Sequence, residues 1–246
     1  GGGLFRYNLN TKQFRRYIHD PEDPTSISHF QVMCTLVDHQ GRVWIGTEDA
    51  GLDRYDPQCD CFEHFSNRPD DPGSIPSNFI RTLFEDSKGQ LCIGTEGNGL
   101  VILKNNGTFA RYDGVSGFAS NTVYSVLEDD QYQLWLGTTK GLTKLNTVNG
   151  TIKNYGTNNN LQGDLFNMSS CLRTNDGVLF FGGINGFNEI HPTQFELNNT
   201  EPHLEITNLR ILNKSVKVGE KINDRIVLKK SLALTSELDL AFKDKT

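Results

Sequence analysis

The 246 residues allow one large domain, or one with a small companion, and a core that needs neither disulfide nor metal staples. Glycine is frequent, 24 of 246, and helix formers are not enriched, which argues against a helical bundle. A net charge of -6 argues against a nucleic-acid surface, and no apolar run approaches the ~18 residues of a membrane-spanning helix.

No signal peptide is visible and the chain opens on Gly1-Gly2-Gly3, so a soluble piece of something longer is expected. In chain order, residues 4–17 read as two short strands around a polar turn. Past the connector DPEDPTSISH, residues 30–66 hold four runs: VMCTLVD, RVWIGT, LDRYDP and CFEHFS. The connector RPDDPGSIPSN leads to residues 78–112, with IRTLFED, LCIGT, LVILK and TFARYD. Residues 121–156 repeat the set with VYSVLED, LWLGT, LTKL and TIKNYG. Residues 167–197 give MSSCLRT, LFFGG, FNEI and at most a weak fourth run over 192–197. The tail 197–246 lacks this pattern, is rich in Lys and Arg, and alternates at Leu204, Ile206, Leu209 and Ile211, then at Val216 and Val218.

The runs are copies of one unit. Trp44, Cys92, Trp135 and Phe180 are equivalent, at spacings of 48, 43 and 45 residues. Each is followed two residues later by Gly46, Gly94, Gly137 or Gly182, then by a Gly-Leu or Gly-Phe pair. Four short antiparallel strands (A to D) per unit of ~40–50 residues are the signature of a β-propeller. Asp38 with Gly41 and Asp86 with Gly89 suit tight A–B turns. The aromatic is expected to wedge blade against blade, with its glycine admitting the neighbour's backbone. The expected fold is all-β: an incomplete propeller over 1–196, with blades near 4–17, 30–66, 78–112, 121–156 and 167–197. A truncated β-sandwich follows over 197–246. Four and a half blades make an odd ring, and missing N-terminal sequence is expected to complete it.

The string from Asp38, DHQGRVWIGTEDAGLDRYDP, and that from Tyr132, YQLWLGTTKGLTKL, resemble the two-component regulator propeller repeat. Cys92 stands where that pattern has Trp, and Phe180-Phe181-Gly182-Gly183 is a degenerate copy. The segment after Pro202 resembles the start of a Y_Y_Y-type sandwich. The resemblance covers nearly the whole chain. It implies a periplasmic sensor region of a bacterial, often hybrid, histidine kinase, with the membrane tether and kinase activity elsewhere in the protein. A homodimer is expected of the full receptor.

Propeller topology puts the B–C loops and the long D–A connectors on one rim. That rim carries Glu48, Asp49, Glu96, Asn98, Lys140 and Asn185, with Phe118 and Phe166 nearby. Acids, amides and one lysine beside aromatic rings suit an oligosaccharide or other small polar ligand; for any one of them alone, a solvated loop residue is the default reading.

Other chemistry is largely excluded. The six histidines show no metal-ligand spacing, and Glu128-Asp129-Asp130 lacks a calcium loop. No nucleophile elbow, phosphate loop or dinucleotide motif occurs, so neither catalytic residues nor a cofactor are expected. All five cysteines are expected as free thiols, Cys59 and Cys61 because two residues of one strand are awkwardly placed to bond. A structural or protein-interaction propeller is the alternative to a ligand sensor, and a propeller lyase or glycosidase a third reading.

Overall fold

The computed structural model describes residues 2–71, 73–194, 208–211, 213–222 and 225–231. The chain divides into two compact units, Gly1–Phe195 and Glu196–Thr246. The first is a β-propeller segment. A hairpin, β1 (Leu4–Tyr7) with β2 (Phe14–Tyr17), precedes three four-stranded antiparallel blades. The first blade is β3 (Val32–Val37), β4 (Val43–Thr47), β5 (Leu52–Asp56) and β6 (Cys61–Phe65). The second is β7 (Ile80–Glu85), β8 (Leu91–Thr95), β9 (Leu100–Leu103) and β10 (Phe109–Tyr112). The third is β11 (Val123–Glu128), β12 (Leu134–Thr138), β13 (Gly141–Leu145) and β14 (Ile152–Tyr155). A three-stranded sheet follows: β15 (Phe166–Arg173), β16 (Leu179–Gly183) and β17 (Gly186–Ile190). The second unit contributes two hairpins, β18 (Arg210–Ile211) with β19 (Lys214–Ser215) and β20 (Lys221–Ile222) with β21 (Arg225–Ile226). Of the expected weak fourth run over 192–197, residues 192–194 form a turn; the remainder and most of the expected sandwich fall outside the described residues.

Strand alternation sends successive side chains to opposite sheet faces, so each blade contributes to two cores. Trp44 and Leu52 meet Ile80, Ile93 and Val101 of the second blade. Cys92, Leu100 and Ile102 meet Val123, Leu134 and Leu136 of the third. Trp135, Leu142 and Tyr155 meet Phe166, Leu179 and Phe181 of the last sheet. Each buried tryptophan gives a truncation cost of order ~3–5 kcal/mol. A connector residue plugs each layer: Ile27, Ile75, Phe118 and Leu161 are all buried. The glycine after each wedge has a steric cause. A Cβ on Gly94 would lie 2.8 Å from the Val123 carbonyl oxygen and 2.4 Å from Thr82 Cγ2.

The A–B turns carry a second repeated device. Asp38 Oδ1 accepts the amides of Gln40 and Arg42, while its Oδ2 accepts the Trp44 indole N–H. Asp129 does the same for Gln131, Gln133 and Trp135. Burial acts to raise the Asp38 carboxyl, but hydrogen bonds from Trp44 and Arg42 outweigh it and hold it below its ordinary value. Adjacent blades are also stitched at this rim. The last residue of an inner strand reaches the preceding turn: Glu85 to His39, Glu128 to Ser87 and Arg173 to Asp130. The three carboxylates 128–130 therefore face three separate partners.

The cysteine expectation fails at one pair. Cys59 and Cys61 form a disulfide across a Cα separation of 5.2 Å. Cys59 lies in the C–D turn rather than in a strand, and Asp60 between them has φ 57°. That left-handed residue reverses the local backbone and brings the two sulfurs together. Cys34, Cys92 and Cys171 are free. Burial pushes the Cys34 thiol up to about 12 and raises the other two, so none is a poised nucleophile.

Candidate functional site

The loop rim is organised by an arginine that the alternation of apolar residues does not reveal. The register between inner and second strands slips at the second residue in each four-stranded blade: between Val32 and Cys34, Ile80 and Thr82, and Val123 and Ser125. Bulges re-aim side chains, and these release Met33, Arg81 and Tyr124 from the ladder. Arg81 donates to both carboxylate oxygens of Glu48, at 3.0 and 3.2 Å, and also pairs with Glu96. One side chain thus ties the B–C loops of two neighbouring blades. The hydrogen bonds from Arg81 hold Glu48 below its ordinary carboxyl value.

Beside this triad lies a cleft of about 360 Å³ lined by Arg81, Glu96, Tyr124, Leu165, Phe166, Asn167 and Met168. Its wall combines one carboxylate, an amide and a phenol with an exposed thioether and a leucine. Asp49 is exposed and pairs with His29 at 3.2 Å. Asn185 donates its side-chain amide to the Gln162 carbonyl at 3.1 Å, and its backbone N–H to the Gln162 side chain. Asn98 is half-buried and Lys140 is exposed.

Phe166 borders the cleft as expected, but it is 1% exposed and Phe118 5% exposed, so the expected stacking of either ring on a ligand is corrected. Phe118 fills the plug position of Ile27 and Ile75, and Phe166 sits on Gly137 as Ile80 sits on Gly46. Glu48 and Glu96 are not free acceptors either, since each shares the Arg81 guanidinium.

Two other places bring together suggestive residue types. A hollow of about 550 Å³ at the opposite rim is lined by Gln40, Arg42, Arg54, Tyr55 and Glu63. Its arginines are already paired, Arg42 with Asp38 and Arg54 with Glu63. Ser28, His64 and Asp53 come together with the residue types of a hydrolytic triad. Yet His64 Nε2 points at the Pro24 carbonyl, and the Ser28 hydroxyl is enclosed without a partner. That arrangement cannot pass a serine proton to histidine.

The two-component regulator propeller family matches residues 28–49 and 117–140. A histidine kinase of Formosa agariphila is 32% identical over 99% of this chain, which spans 18% of that protein. The extracellular domain of a hybrid two-component system from B. thetaiotaomicron is 27% identical, with a TM-score of 0.64. The match covers 78% of this chain and 25% of that one. A virginiamycin B lyase from Staphylococcus aureus shares the fold alone, at 16% identity and a TM-score of 0.59, covering 78% of this chain and 60% of that one. Among the described residues, no helix is long and apolar enough to cross a membrane.

Proposed function

This chain carries two-component regulator propeller repeats, and on that premise we propose that it is part of the extracytoplasmic sensor region of a hybrid histidine kinase. The reading extends to a periplasmic location, a receptor that works as a homodimer, and an oligosaccharide as the ligand sensed at the loop rim. The observation that carries the ligand class is the cleft beside Arg81. The Tyr124 phenol and the Asn167 amide offer a donor and acceptors beside the Arg81-paired Glu96, and Leu165 with Met168 offers an apolar strip for a sugar face. The paired charges leave little net positive potential, which disfavours a polyanion. A ligand would act by favouring one arrangement of the receptor, to the extent that it binds the two arrangements unequally.

The test is calorimetric titration of the intact extracytoplasmic region with linear oligosaccharides, with product formation followed in parallel. Saturable binding without turnover, lost in Asn167→Ala or Tyr124→Phe, is the expected result. Turnover would replace the sensor by an enzyme. Silence across the panel would favour the protein-interaction reading, which the exposed Phe187 and Leu172 of the last sheet support.

A further inference from the structure

Three connectors on the loop rim are fastened by the blade they lead into, all in the same register. In the third blade Thr143 faces Asn154 across β13 and β14. Asn154 Nδ2 donates to the Gly117 carbonyl at 2.8 Å, and its Oδ1 accepts the Thr143 hydroxyl and the Ala119 amide. In the last sheet Asn188 accepts the Gln162 amide at 3.0 Å and donates to the Asn160 carbonyl. In the second blade the matching inner position is Val101, fully buried. These pins are uncharged.

The first blade differs. There the pair is Asp53 and His64, opposite one another on β5 and β6. Asp53 is completely buried; its Oδ2 accepts the Ser28 amide at 2.8 Å and its Oδ1 lies 2.7 Å from His64 Nδ1. His64 Nε2 lies 3.0 Å from the Pro24 carbonyl oxygen. Carboxylate and carbonyl are acceptors only, so both ring nitrogens must donate, and a neutral imidazole has one proton to give. The arrangement is that of an imidazolium. Hydrogen bonding to Asp53, aided by its charge and opposed by partial burial, raises His64 above its ordinary 6.5.

We propose that Asp53 and His64 form a proton-operated clamp on connector 18–31, closed when His64 is charged and released from Pro24 when it loses its proton. The inference stands apart from the ligand reading, since it concerns the connector alone. It has a route to the rim all the same. The far end of this connector meets the first B–C loop, where Glu48 donates its amide to the Gln31 carbonyl and His29 pairs with Asp49.

The other ionisable groups around the clamp have their own partners. Glu63, beside His64 in β6, pairs with Arg54. On the connector, His19 Nδ1 donates to the Ile27 carbonyl, and Asp20 accepts the Glu22 amide. Asp23 accepts the amide and hydroxyl of Thr25, and Glu22 is exposed. His19 and His29 also lie on this connector, so the test must isolate His64.

The sign follows from the raised value. The clamp's stabilisation is full below the unfolded histidine value and is lost as pH rises through the higher folded value. Hydrogen–deuterium exchange at about pH 6 and about pH 8.5, corrected for intrinsic chemical rates, reads it directly. Protection of the Ser28 amide and its connector neighbours is expected to fall about tenfold at the higher pH, the scale of one charge-assisted hydrogen bond. Connector 113–122, held by Thr143 and Asn154, should not change, and it serves as a control inside the same molecule. The double variant Asp53→Thr/His64→Asn copies that neutral pin and should make connector 18–31 equally indifferent to pH. Equal response of both connectors, persistence of the response in the double variant, or an NMR titration of His64 at or below 6.5 would overturn the proposal.

Discussion

The buried carboxylate of Asp38 accepts the indole N–H of Trp44 at 2.8 Å, tying the wedge of the first full blade to its own A–B turn. Asp129 and Trp135 repeat the bond at the same 2.8 Å in the third blade. In the second blade Asp86 still accepts the Lys88 and Gln90 amides, but Cys92 offers no indole. The repeated acid and aromatic are one unit: a carboxylate without its backbone donors would not be tolerated so far inside, and an indole without the carboxylate would bury an unpaired N–H.

Replacing Asp129 by Ala should therefore cost more than loss of a turn residue. It orphans the Trp135 indole and the amides of Gln131 and Gln133, for a loss of about 1–3 kcal/mol per buried group that water cannot reach. Asp86→Ala, with no indole to orphan, should cost less. Urea denaturation of the two variants side by side gives the comparison.

Gly94→Ala should destabilise by about 1–3 kcal/mol through overpacking, because its Cβ would press on the Val123 carbonyl of the next blade. Among the described residues Gly182 has no such neighbour; a Cβ there would meet its own sheet at Ser170, 3.0 Å away. Gly182→Ala should thus be the milder change in a thermal melt.

Arg81→Ala should leave Glu48 and Glu96 without their shared cation and cost about 1.5 kcal/mol at neutral pH, a modest figure because the carboxylates are partly exposed. Glu48 is held below its ordinary 4.5, so its contribution is present above that value and lost as pH falls through the lower folded value. The stability gap between variant and parent should narrow in that acidic window. A gap unchanged by pH would show that Arg81 acts through packing instead.

The Cys59–Cys61 bond closes so short a loop that chain entropy predicts only about 1–2 kcal/mol from it. Reduction, or Cys59→Ser with Cys61→Ser, should lower the melting temperature slightly and leave the fold intact. Alkylation of the urea-unfolded, unreduced protein should label the three free cysteines, Cys34, Cys92 and Cys171, and spare Cys59 and Cys61.

The sequence alone determined the blade. The spacing of Trp44, Cys92, Trp135 and Phe180, the glycine after each and the acidic A–B turns are local patterns, and local patterns survive in one dimension. So did the division into two rims, which follows from strand order. The tertiary structure decided which residues stand on the loop rim. Phe118 and Phe166 look like rim aromatics in a linear reading, but the gap between stacked sheets needs a plug and the glycine needs a cover, so both turn inward. Arg81 reads as an ordinary strand residue until a bulge turns it toward Glu48, 33 positions away in the chain. Asp53 and His64 are unremarkable eleven residues apart and become a charged pair only when strand pairing places them opposite each other beneath a connector. Repeats write the scaffold in every copy, whereas the features that distinguish one copy from the next depend on contacts between segments that sequence distance does not reveal.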